Sequence, residues 1–178
     1  MKKFTPVVAA LSLMFTLLAA TPAAAACPTG WGSTKETSDA HPDAVMRNAR
    51  AGEHACFDRF VVVVRGDAPG FDVRYVDQFV PTARGNVVEL RGKATLEVVL
   101  LGTRAHDSDG EPTYQPDRRA EMVDVDGFRT FRQVYWGGTF EGTTTMGIGV
   151  RGRLPFRVQV VPGPGDRTRL VVDVAHTW

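Results

Sequence analysis

The chain has 178 residues, with 21 basic and 20 acidic side chains and a formal charge of +1. That length suits one domain with a real hydrophobic core. So even a balance gives the chain as a whole no electrostatic reason to seek nucleic acid.

At the start, Lys2 and Lys3 precede an uncharged, leucine-rich run from Val7 to Ala20, which Pro22 ends. This is the three-part pattern of a secretory signal peptide, and it is shorter than the roughly 20 apolar residues of a membrane span. Ala24 and Ala26 supply the small residues needed for cleavage before Cys27. Residues 1–26 are therefore read as a leader, and the product as secreted, with no stable membrane insertion after cleavage.

Residues 27–57 are polar, rich in Gly, Ser, Thr and Asp, and carry Pro28 and Pro42. They are expected to form an N-terminal arm in which only "AVMRNARAG" (44–52) has the composition of a short helix. From Phe60 the texture changes. "FVVVVRG" (60–66) is a β-branched run bounded by glycine, the mark of a buried strand. "FDVRYVDQFV" (71–80) alternates, with Phe71, Val73 and Tyr75 on one face. "NVVELRG" (86–92) and "ATLEVVLLG" (94–102) read as further strands. A long polar loop covers 103–120, and "FRTFRQVYWGG" (128–138) follows. "TTTMGIGVRG" (143–152) turns Met146, Ile148 and Val150 to one side. "LPFRVQVV" (154–161) does so with Leu154, Phe156, Val158 and Val160, and "TRLVVDVAH" (168–176) with Leu170, Val172 and Val174. Short strands at close spacing, punctuated by Gly and Pro, predict an all-β, antiparallel sandwich of two facing sheets over residues 58–178.

An internal echo runs through this pattern. "VRGDAPGFDVRYV" (64–76) and "VRGRLPFRVQVV" (150–161) share Val-Arg-Gly, then Pro, Phe and Val, with one gap. A duplicated sheet unit or two similar hairpins would both produce it.

Candidate chemistry concentrates in two places. The 103–120 loop is long for a compact domain, and such loops are often functional. It holds Tyr114, Arg118 and Arg119, a ring for sugar faces and guanidinium groups for carboxylates. The segment 132–142 holds Arg132, Tyr135, Trp136 and Phe140; Trp136, beside Gly137, is the best candidate there for an exposed ring, while Phe128, Phe131 and Phe140 are expected to fill the core. Trp178 is expected to cap the core. Asp107, Asp109 and Glu111 alternate as calcium ligands do. Setting Gly110 at the loop glycine of an EF-hand, however, puts Ala105 and Pro116 at ligand positions, and Asp-x-Asp-Gly also describes a plain turn. No metal and no cofactor are expected. The sequence has neither a Gly-x-Ser-x-Gly elbow nor a His-Glu-x-x-His helix, and its histidines, His41, His54, His106 and His176, lack metal-ligand spacing.

"CPTGWGS" at the mature start, "CFDRFVV" at the first core strand, "DGFRTFRQVYWGGTFEGTTTMGIGVRGRLPFRV" and the closing "RLVVDVAHTW" together resemble the AMIN-like domain of secreted actinobacterial proteins. The resemblance to the AMIN domain of periplasmic amidases is more distant. It implies a sandwich of two small sheets and a non-catalytic module that binds peptidoglycan, another wall component or an envelope protein. Asp58, Arg59 and Asp173 resemble recurrent charged positions of that family, and their pairing would be structural. The chain ends at Trp178, so no tethered catalytic domain is expected. A monomer binding no nucleic acid is the leading reading. A secreted hydrolase with its site in the 103–120 loop, or an inhibitor using that loop, are the alternatives.

Cys27 and Cys56 are the two cysteines. Acylation of Cys27 would leave Cys56 unpaired in an oxidising compartment, and a lipobox would place a leucine-like residue where Ala24 stands. The expectation is a Cys27–Cys56 disulfide.

Overall fold

The computed structural model describes residues 27–82 and 84–178; the predicted leader lies outside the described residues. In chain order the strands are β1 (Glu36–Ser38), β2 (Ala44–Glu53), β3 (Phe57–Arg65), β4 (Gly70–Val76) and β5 (Ala94–Leu101). They continue with β6 (Thr103–Arg104), β7 (Phe131–Phe140), β8 (Thr143–Val150), β9 (Phe156–Pro162) and β10 (Arg167–Ala175). A single 3-10 turn, Arg119–Glu121, is the one helical element among the described residues. The strands form two five-stranded sheets: sheet I, ordered β1-β4-β5-β8-β7, and sheet II, ordered β6-β2-β3-β10-β9. Neighbours are antiparallel except for the short β2–β6 contact.

Period-two alternation explains the core. Val73, Leu96, Val98, Leu100, Met146 and Ile148 point inward from sheet I and are fully buried. Phe60, Val62, Val64, Leu170, Val172 and Val174 meet them from sheet II, also fully buried. The two inner faces form one contiguous apolar cluster, the arrangement of a β-sandwich. The all-β sandwich expected from the sequence is therefore present.

The internal echo has a structural counterpart. The hairpin β2–β3 lies in sheet II, crosses over, and continues as the hairpin β4–β5 in sheet I. The hairpin β7–β8 lies in sheet I, crosses over, and continues as β9–β10 in sheet II. Exchanging the halves maps the order β4-β5-β8-β7 onto β9-β10-β3-β2. Both halves even carry a bulge at the matching place. Met46 pairs with Val64 and Asn48 with Val63, leaving Arg47 extra; Phe131 pairs with Val150 and Gln133 with Gly149, leaving Arg132 extra. The sandwich is built from a duplicated four-strand unit.

Three local expectations need correction. Residues 44–52 form the strand β2 rather than a helix. Pairing with β3 along its length outweighs the helix propensity of its alanines and arginines, so the boundary drawn at 57/58 falls inside a hairpin. Residues 86–92 form no strand beyond an isolated Phe79–Val88 bridge, because both edges of β5 are taken by β4 and β8. Two rings expected in the core are exposed: Phe140, the last residue of β7, at 52%, and Trp178 at 76%. The Trp178 indole donates to the Arg153 carbonyl at 3.0 Å.

Cys27 and Cys56 form the expected disulfide, with Cα atoms 5.4 Å apart.

Candidate functional site

The 103–120 loop folds back along β7. Asp107 starts the turn: its carboxylate accepts the backbone N–H groups of Asp109 and Glu111 at 3.0 and 2.9 Å. These three acids thus build an Asx turn. Among the described residues no three His, Cys, Asp or Glu side chains converge as metal ligands would. The Ala105 carbonyl accepts the Thr113 N–H at 2.9 Å, and the Thr113 hydroxyl donates to the Met46 carbonyl at 2.9 Å. These bonds hold Tyr114 against the body of the domain.

Tyr114 meets Trp136 edge to face, with centroids 5.4 Å apart and planes at 71°. Burial pushes the Tyr114 hydroxyl up to about 12, so at neutral pH it is a protonated phenol able to donate and accept. Arg119 donates to the Trp136 carbonyl at 3.4 Å. His106, Pro112, Tyr114, Asp117, Arg119 and Trp136 line an open groove of about 430 Å³.

The sequence singled out Tyr114, Arg118, Arg119, Arg132, Tyr135 and Trp136, and the fold divides them. Tyr114, Arg119 and Trp136 share the groove. Trp136, expected to be exposed, is only 5% exposed, because it opposes Met146 on the inner face of the β7–β8 pair. Tyr135, the next residue, points the other way and meets Phe79 edge-on at 5.9 Å. Arg118 and Arg132 line a separate depression of about 530 Å³, together with Arg91, Glu121, Asp124 and Asp126. There Arg91 grips Glu121 with two bonds of 2.6 and 3.0 Å. That pairing lowers the Glu121 carboxyl below its ordinary range. The Arg132 guanidinium donates to the carbonyls of Phe128, Phe131 and Arg129 at 2.8, 2.8 and 3.2 Å. It secures the bulge in which it sits.

The recurrent charged positions also resolve. Asp173 is fully buried on the outer side of sheet II. It accepts two bonds from Arg59, at 2.6 and 2.9 Å, and one from Arg157 at 3.0 Å. Arg157 stacks on Trp31 at 4.4 Å, and Arg59 lies over Phe57 at 5.1 Å. Asp58 takes a different role. It accepts the N–H groups of Thr130 and Phe131 at 2.6 and 2.8 Å and contacts His176 Nε2 at 2.9 Å, joining β3, the start of β7 and the end of β10. Arg157, Trp31 and Phe57 were missed by the sequence reading. Alternation along each strand points Arg59, Arg157 and Asp173 outward, but the register that makes them one row is tertiary.

Residues 44–176 match the family described as the AMIN-like domain. The chain belongs to the AMIN-like domain family. The match begins at the first residue of β2 and ends just after β10, so it takes in both halves of the duplication. An AMIN-like domain points to a binding module associated with the cell envelope. No curated protein and no solved structure matches this AMIN-like chain. Among its described residues no helix is long and apolar enough to cross a membrane.

Proposed function

We propose that this AMIN-like protein is a secreted, non-catalytic module that binds a cell-wall component, peptidoglycan being the best fit, and works as a monomer. The observation that supports this reading is the groove between the 103–120 loop and β7. It offers the edge and face of a half-buried tyrosine, a guanidinium and an imidazole around a space of about 430 Å³. Sugar rings stack on aromatic faces, and peptide carboxylates take guanidinium forks. The Tyr114 phenol, protonated at neutral pH and pushed further up by burial, is suited to hydrogen-bonding a hydroxyl-rich ligand. Arg118, on the neighbouring depression, extends the positive charge toward a peptide stem.

Co-sedimentation with purified peptidoglycan tests the reading. The variant Tyr114→Ala/Arg118→Ala/Arg119→Ala should lose at least tenfold in retention while keeping a cooperative melt. Trp136 is left in place because its removal would hollow the core. Full retention by the folded triple variant would remove the groove from the account.

A further inference from the structure

The two halves of the duplication differ most in one connection. Residues 77–93 join β4 to β5, whereas residues 163–166 join β9 to β10. The long connection lies across the outer face of sheet I. Phe79 is buried there against Tyr135, and a methyl group added at Gly147 would meet Leu90 at 2.7 Å and Phe79 at 2.9 Å. The short connection lays no such cover on the matching outer face of sheet II, where Arg50, Arg65 and Arg167 are exposed.

Strand alternation decides what that face displays. Arg50 of β2, Arg59 and Arg65 of β3, Arg157 of β9, and Arg167 and Arg169 of β10 all turn outward, against the single carboxylate of Asp173. This is a concentrated charge in a chain whose formal total is +1. Asp173 pairs with both Arg59 and Arg157 and offsets one of their two charges. Among the described residues, Arg50, Arg65, Arg167 and Arg169 make no ion pair. Arg65 and Arg167 are direct cross-strand partners, and like charges in that position destabilise a sheet. The acids of the adjoining turns, Asp67 and Asp166, are exposed and form no ion pair with either arginine. Arg169 gives one guanidinium nitrogen to the Pro162 carbonyl at 2.7 Å, and its Nε is buried without a hydrogen-bond partner. The unpaired guanidinium groups of Arg65, Arg167 and Arg169 thus gather positive charge at one end of this face.

The chemistry of an anion suited to this charge can be narrowed. Guanidinium forks match phosphate oxygens in pairs. The unpaired charges extend from Arg65 to Arg50, which lies opposite Val61 four residues along β3, a span of about 13 Å that suits successive units of an extended polymer better than a small metabolite. Beneath the arginines, Val61, Val63 and Val171 are each only 6% exposed, so the face offers no apolar anchor to a bilayer. Non-specific single-strand nucleic-acid binders use free rings on which bases stack. Here Trp31 and Phe57 are covered by Arg157 and Arg59.

We propose that the arginine-covered outer face of sheet II binds a linear, base-free polymer of polyol phosphodiesters. The site is separate from the Tyr114–Trp136 groove at the edge of sheet I and holds whether or not that groove binds wall material. Fluorescence anisotropy with a labelled synthetic poly(glycerol phosphate) tests it, using the oxidised protein. Binding should weaken linearly in log salt. The variant Arg65→Gln/Arg167→Gln should lose at least tenfold in affinity and about one unit of salt slope per arginine removed. Arg84→Gln/Lys93→Gln removes the same charge away from this face and should bind as the parent does. The melt of Arg65→Gln/Arg167→Gln at low salt should stay level or rise as the repulsion disappears. Should that pair prove unfolded, Arg167→Gln alone carries the test, with an expected loss of at least threefold. Parental affinity in the folded variants, or an equal loss in the charge-matched control, would overturn the proposal. So would tighter binding of single-stranded DNA, polyglutamate or phosphatidylglycerol vesicles at equal charge.

Discussion

The outer faces of the two sheets descend from equivalent strands and have opposite fates. On sheet I the outer face is a second, smaller core: Phe79 and Leu90 are laid over Gly147, and Tyr135 closes against Phe79. Its charges are matched in sign, with Asp72 shared by Lys35 and Arg74, and Glu97 held by Arg74 at 2.7 Å. On sheet II the outer face has a valine floor roofed by arginine stems, and its charge is unbalanced. The lesson is that one insertion, residues 77–93 in place of a four-residue turn, converts a sheet face from surface to interior. The half that did not receive it keeps a face free for a partner. Packing and binding compete for the same kind of surface, and here each has taken one copy.

The comparison is sharpened first at the lid. Phe79→Ala should destabilise by about 3–4 kcal/mol, the usual cost of emptying a buried phenylalanine site. Val63→Ala, on the outer face of sheet II, should cost about 1 kcal/mol. Urea titrations of both variants measure the contrast. Equal losses would mean that the two faces are packed alike.

Next in size is the covalent tie at the end of sheet II. The disulfide secures the segment that carries Trp31 onto Arg157. Closing a loop with a sequence separation of 29 contributes about 3.6 kcal/mol through chain entropy. Cys27→Ser/Cys56→Ser should lose about that much. It should also make the Trp31 fluorescence readily quenchable, while the fold of sheet I is retained. A melt within 2 °C of the parent's would show that the arm docks unaided.

The smallest effect concerns how the lid is fastened. Arg91, near the end of the 77–93 connection, gives its backbone N–H to Gln133 at 2.9 Å and its guanidinium to Glu121. Because the Glu121 carboxyl is lowered in the folded protein, its contribution to stability is complete above its ordinary value of 4.5. That contribution is lost as pH falls through the lowered value. The pair is well exposed, so the gain is small. Arg91→Gln should lower the thermal midpoint slightly at pH 7 and converge with the parent as pH falls through the lowered Glu121 value. A gap that stays constant across that range would assign the Arg91 effect to its backbone and packing contacts alone.

Much of the fold was legible along the chain because burial imposes a period. Phe60, Val62 and Val64, or Leu170, Val172 and Val174, can occupy one face only as strands, and each set proved inward. The Val-Arg-Gly echo fell at the two crossovers between the sheets, although Gly66 takes a positive φ there and Gly152 does not; along the chain alone it fitted a duplicated unit and two similar hairpins equally. The helix expected at 44–52 failed for the opposite reason. A segment with alanines and arginines has no strong local preference, and the available edge of β3 decided it.

The candidate site was only partly legible. The long loop correctly drew Tyr114 and Arg119 to one groove. Sequence adjacency, however, suggested that Tyr135 and Trp136 act together, and in a strand adjacent residues face opposite sides. Composition also pointed away from polyanions, because a charge summed over the chain hides a charge sorted by face. The sequence by itself determined the alternating core strands from Phe60 onward and the pairing of its two cysteines, since these follow from local periodicity and from residue type. Only the tertiary structure decided which arginines share a face, because cross-strand register is set by hydrogen-bonded ladders between residues as far apart as Arg65 and Arg167.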